Sequence, residues 1–171
     1  MRRRLTPALA ATAALIGALV FSGCTTPTPS PTPTPTGFAS EAEAFAAAEA
    51  TYREYVDAVN AVDLSDPATF ESLFAMTSGE INSSDRETYS GWHADGVTIV
   101  GDSLAAEVTP KQWASGEVIL SVCYDVSAVD VVDAEGRSMV SPDRPPRQPL
   151  LVTISENHVT AIEPDTSVGT C

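Results

Sequence analysis

Trp92-His93-Ala94-Asp95 is the densest run of chemically capable side chains in this 171-residue chain. An imidazole two residues from a carboxylate can move a proton to and from a substrate. His93 and Asp95 are therefore the candidate acid–base pair, with Trp113, Tyr124 and Asp125 as companions the fold must bring to them. Tyr52, Tyr55 and Asp57 offer similar groups elsewhere; each of these aromatics is equally at home in a core. The carboxylates Asp125, Asp130, Asp133 and Glu135 lack the alternating ligands and distal glutamate of a calcium loop. His93 and His158 lie far apart, so no zinc set is expected, and no cofactor. Arg137, Arg144 and Arg147 fall in a proline-interrupted stretch with Pro142, Pro145, Pro146 and Pro149. Two accounts stay open for them: neutralising the domain's own carboxylates, or docking a partner through forked hydrogen bonds on a stiff arm.

The N-terminal end sets where this chemistry takes place. Arg2, Arg3 and Arg4 precede an apolar run over residues 8–21, the charged and apolar regions of a secretory signal. That run is short for a membrane span. Phe21-Ser22-Gly23-Cys24 closes it and resembles the lipobox of bacterial lipoproteins, with Phe21 where that family usually places an aliphatic residue. The resemblance implies that residues 1–23 are a signal peptide and that Cys24 becomes the first residue, carrying diacylglycerol and an acyl chain such as palmitate. Residues 25–36 contain only Thr, Pro and Ser, with no apolar side chain to bury. With Cys24 they make a linker over 24–37, a stiff polyproline-like spacer that would hold a domain roughly 35–40 Å from its anchor. The expected place is the outer face of the cytoplasmic membrane, in an actinobacterial type of cell.

Loss of the three leader arginines takes the net charge from −14 to −17. Nucleic acid is thereby excluded as a partner, because binding it rests on cationic neutralisation of phosphate. Residues 38–171 suffice for one domain with a real core. With Cys24 lipidated, Cys123 and Cys171 remain, and an oxidising compartment predicts a disulfide tying down the last residue.

The elements follow from periodicity. Ser40-Glu41-Ala42-Glu43 is a capping box that opens a helix, whose stripe runs through Phe45, Ala48, Tyr52, Val56 and Val59. Asp66-Pro67 starts a short second helix that Gly79 is expected to end. Ser84-Asp85-Arg86-Glu87 reads as a second capping box, opening a third helix through Trp92. After Gly96 the period becomes two. Strands are expected over 97–100, 104–109 and, most strongly, 117–126, where the even positions Val118, Leu120, Val122 and Tyr124 face the helices. The alternation slips at Ser127-Ala128, which predicts a β-bulge. Two last strands flank a turn at Glu156-Asn157.

Gly101-Asp102-Ser103-Leu104 resembles the first block of the Gly-Asp-Ser-Leu esterases, but the histidine and oxyanion blocks are missing, so a strand-to-strand turn is the reading. Helices followed by an antiparallel meander make an α+β fold, N-terminal helices packed on a bent sheet. This order resembles the cone fold of nuclear-transport-factor-2-like and ketosteroid-isomerase-like proteins, with a cystatin-like arrangement as the alternative. The expected function is a non-enzymatic binding or accessory module of the envelope, whose partner is an envelope protein or a small apolar ligand. The alternatives are a small cone-fold isomerase, cyclase or hydrolase, and a structural envelope protein without ligand.

Overall fold

The computed structural model describes residues 37–171. The expected signal peptide, Cys24 and nearly all of the expected linker lie outside the described residues.

Helix α1 (Glu41–Asn60) begins at the expected cap: the Glu43 amide donates to Ser40 Oγ at 3.2 Å. The Glu43 carboxylate reaches back to the Ala39 amide at 2.9 Å. Its buried stripe is Ala44, Ala48, Tyr52 and Val56, so Phe45 is displaced to a half-buried flank. A 3-10 turn (Pro67–Thr69), capped by Asp66, leads into α2 (Phe70–Phe74).

The third helix departs from expectation. Gly79 starts it rather than ending its predecessor, and α3 runs Gly79–Ala94. The chain turns at Ala75-Met76, Thr77 bridges to Val159, Ser78 is extended, and Gly79 takes φ +67°, which favours glycine. Asn82 stabilises the reversal, donating to the carbonyl of Phe74 at 2.7 Å and to Thr77 Oγ1 at 2.9 Å. Ser84 is therefore mid-helix: a local capping pattern is overridden where an earlier turn is already paid for by side-chain bonds. With the earlier start, Ile81, Asp85, Tyr89 and Trp92 fall at helical spacing on one face.

Four strands form the main sheet: β2 (Leu104–Ala114), β3 (Glu117–Asp125), β5 (Arg147–Ser155) and β6 (His158–Pro164), antiparallel in the order β2-β3-β5-β6. Val118, Leu120 and Val122 of β3 face α1, with Val152, Ile154 and Val159 beside them. Helix α1 touches all four strands. The turn at Glu156-Asn157 is as expected, both residues taking positive φ as a two-residue hairpin of this twist requires. Backbone bonds between Val159 and Met76 and between Ser78 and Val159 cover the β6 edge.

No bulge occurs at Ser127-Ala128. Asp125 Oδ1 instead accepts the Ser127 amide at 2.9 Å, the chain turns out of the sheet, and β4 (Asp130–Val132) pairs with β1 (Thr98–Val100) as a separate ribbon. Register shifts lie in β2, around Ala106 and Lys111, and between β5 and β6. Pro149, expected in the connection, sits within β5 opposite Cys123.

The C-terminal tail is fixed to the outer face of the sheet at Cys123, Ser121 and Lys111. Cys123 and Cys171 are disulfide-bonded, with Cα atoms 5.7 Å apart. Asp165, whose side chain is 1% exposed, accepts from Lys111 Nζ at 3.0 Å and Ser121 Oγ at 2.8 Å. Hydrogen bonds from Ser167 and Ser121, then from Lys111, hold its carboxyl well below the usual range. Its contribution to stability is thus complete above about pH 4 and disappears only as strong acid protonates it.

Candidate functional site

A second core cluster, Leu64, Phe70, Leu73, Phe74, Tyr89 and Val97, lies beside the first, with Tyr55 packed against both. Where they meet, a cavity of about 250 Å³ opens between the end of α1, α3, β3 and the ribbon. Val59, Val62, Ile99, Val129 and Val131 supply apolar wall. Tyr89 and Trp92 line it as well, their rings 5.8 Å apart and inclined at 69°.

The polar part of the lining is a chain of hydrogen bonds. Tyr124 Oη donates to Ser103 Oγ at 2.8 Å, which donates to Asn60 Oδ1 at 2.8 Å. Asn60 also accepts the Ser103 amide at 3.0 Å and donates to the Ser103 carbonyl at 2.8 Å. Ser103 is buried at 2% exposure, and its hydroxyl orders the site rather than standing beside a base. Gly101-Asp102 is accordingly the turn that delivers Ser103 to Asn60. Burial pushes the Tyr124 phenol up, opposed in part by its bond to Ser103.

Asp85 stands one helical turn before Tyr89. Its Oδ2 is buried and, among the described residues, has no hydrogen-bond partner. Desolvation pushes its pKa from 3.8 to about 6. Burial, with the nearby Asp85 charge, also raises the phenols of Tyr55 and Tyr89. Below about pH 4 both folded and unfolded chains hold the Asp85 proton. As pH rises from about 4 to about 6 the unfolded chain releases its proton first, so stability falls, and above about 6 the loss is complete. About two pK units correspond to ~3 kcal/mol, which screening of a half-buried group cuts to ~1 kcal/mol. Asp85→Asn therefore gains ~1 kcal/mol at pH 8 and almost nothing at pH 3.5, read by urea unfolding at both. An equal gain at the two pH values contradicts this placement of the carboxylate.

The residues singled out from sequence are dispersed. His93 is exposed, its Nδ1 2.7 Å from the Leu64 carbonyl oxygen, in an outer groove with Val62 and Val97. Asp95 is the exposed C-cap of α3. Trp113 lies in the β2–β3 hairpin against the first core cluster. Only Tyr124 and Trp92 of that set line the cavity. All three loop arginines are engaged by the chain itself. Arg137 pairs with Asp133 and Glu135, Arg147 with Asp125, and Arg144 donates to the carbonyls of Val126 and Val129. Two of the three thus meet the domain's own carboxylates, while Arg144 bonds backbone carbonyls. Among the described residues no group of three or more His, Cys, Asp or Glu is placed to hold a metal ion.

Asn60, Ser103 and Asp85 were missed from sequence. Asp85 had a signal: with the helix begun at Gly79, it interrupts an apolar stripe with a carboxylate.

No family model matches this sequence, and no curated protein matches it. Among solved structures, the solution NMR structure of a de novo designed beta-sheet protein is similar at 11% identity, over 72% of this chain and 88% of that one, with a TM-score of 0.31. A likeness of that size carries no argument about fold or activity.

Proposed function

We propose that this chain is a lipid-anchored binding module on the outer face of the cytoplasmic membrane, raised on its Thr/Pro spacer, that holds a small molecule in the cavity at the α1–α3–β3 junction. The observation that carries the binding reading is the cavity itself: mostly apolar walls with a few convergent polar groups already ordered by one another. The position of α1 across all four strands supports a cone-like packing. The anchor rests on the residues of the lipobox-like segment.

Two measurements test this reading. Intact mass of chain recovered from membranes is expected to show a product beginning at Cys24 with acyl groups; an unmodified cysteine or a retained leader overturns the anchor. Titration with phenol, a neutral probe small enough for the space, is expected to change the Trp92 fluorescence saturably; no binding of phenol or of the cationic probe used below overturns the cavity as a site.

Asp85 favours a second reading, an acid–base enzyme, because an unpartnered carboxyl raised by desolvation near Tyr89 is a candidate for proton transfer. Under it, Asp85 takes the role first expected of His93 and Asp95.

A further inference from the structure

The cavity's walls say which charge its occupant carries. None of its lining residues is Lys or Arg. The six basic residues of residues 37–171 are all committed elsewhere: Arg53 to Glu49, Arg86 to Glu71 and the Phe74 ring, Lys111 to Asp165, and the three loop arginines as above. An anion therefore finds no countercharge here. Two observations point to a cation instead. Tyr89 and Trp92 line it in edge contact at 69°, and Tyr124 lines the same space. Aromatic lining offers a cation the negative lobes of the ring quadrupoles. Asp102 lines the mouth and supplies the one carboxylate of this lining.

We propose that the cavity binds a small organic ammonium ion, of the quaternary-ammonium class, seated against the rings of Tyr89, Trp92 and Tyr124 with the carboxylate of Asp102 supplying the opposing charge. This inference rests on the binding-module reading and assigns its ligand class. The volume of about 250 Å³ suits a headgroup of choline size and not a lipid or a folded peptide. Bulky methylated ammonium ions lose little hydration on entry, so an aromatic lining competes well with water for them, whereas lysine-like ammonium does not gain as much.

The experiment is calorimetric titration of the purified full domain with choline and, separately, with its neutral isostere 3,3-dimethylbutan-1-ol. Choline is expected to bind at least about tenfold more tightly than the isostere. Asp102→Asn, on the exposed mouth, is expected to weaken choline about threefold to tenfold while leaving the isostere unchanged. Trp92→Leu is expected to weaken choline more than Asp102→Asn does, and its folding is checked by urea midpoint. Equal or tighter binding of the isostere overturns the ammonium assignment and leaves the binding module standing. If neither choline, isostere nor phenol binds, both fall. Binding of choline that neither substitution weakens also overturns the assignment, because the ion then sits elsewhere.

Discussion

Replacing both Cys123 and Cys171 with serine is expected to lower the unfolding free energy by about 4 kcal/mol. The bond closes a loop of 48 residues between the buried outer face of β3 and the last residue of the chain. Its removal changes the folded state little. Asp165 is held independently by Lys111 and Ser121, and Ser167 by Lys111 and Asp165, so only the segment after Ser167 loses its tether. The cost lies in the unfolded chain, which regains the freedom that the cross-link removes. For a domain whose whole stability is of order 5–15 kcal/mol, that is a large fraction. Urea unfolding of the oxidised protein and of the double variant measures it. A midpoint that falls together with a larger m-value fits this origin, since an uncrosslinked chain exposes more surface. An unchanged midpoint contradicts it.

Gly101→Ala is expected to cost about 2–5 kcal/mol, by two mechanisms acting together. Gly101 has φ +78°, where alanine is disfavoured by ~1–2 kcal/mol. A Cβ placed there also collides with the backbone carbonyl of Ala128, lying 2.8 Å from its carbon. Backbone cannot rotate aside as a side chain can, so β1 and the segment before β4 must separate, adding ~1–3 kcal/mol. Gly136 provides the control. Its φ is +79°, yet nothing lies within 4 Å of the same added atom. Gly136→Ala should therefore show the conformational cost alone, about 1–2 kcal/mol. Equal costs for the two substitutions would show that the close approach at Ala128 does not constrain the chain. Because Gly101 lines the cavity and its turn delivers Ser103 to Asn60, Gly101→Ala should also weaken ligand binding, which Gly136→Ala should not.

The parts of this fold that were legible in the sequence are those where local chemistry and tertiary demand agree. Ser40 and Glu43 cap α1, Asp66 caps the turn before α2, and the alternation of Val118, Leu120 and Val122 marks the inner face of β3. The disulfide followed from counting cysteines. What misled was local pattern without its tertiary context. Ser84-Asp85-Arg86-Glu87 has the spacing of a helix start, but the Asn82 bonds to Phe74 and Thr77 had already begun the helix. The slipped alternation near Ser127 marks a strand leaving one sheet for another, and alternation alone does not distinguish that from a bulge. The site was harder still. Its polar chain joins Asn60, Ser103 and Tyr124 across 43 and 21 residues, and no periodicity encodes such a meeting. His93 and Asp95 drew attention because they are neighbours in sequence, yet both lie exposed at the helix end. Asp85, which looks like a capping residue, is half-buried, with its Oδ2 enclosed.

The most direct test of the central claim uses the two indole N–H groups of the chain as reporters, since Trp92 lines the cavity and Trp113 sits in the β2–β3 hairpin. In a ¹H–¹⁵N spectrum of the folded domain titrated with choline, the account predicts that the Trp92 resonance moves and saturates while that of Trp113 stays in place. A Trp92 resonance that stays in place throughout, or two resonances that drift together without saturating, would contradict it.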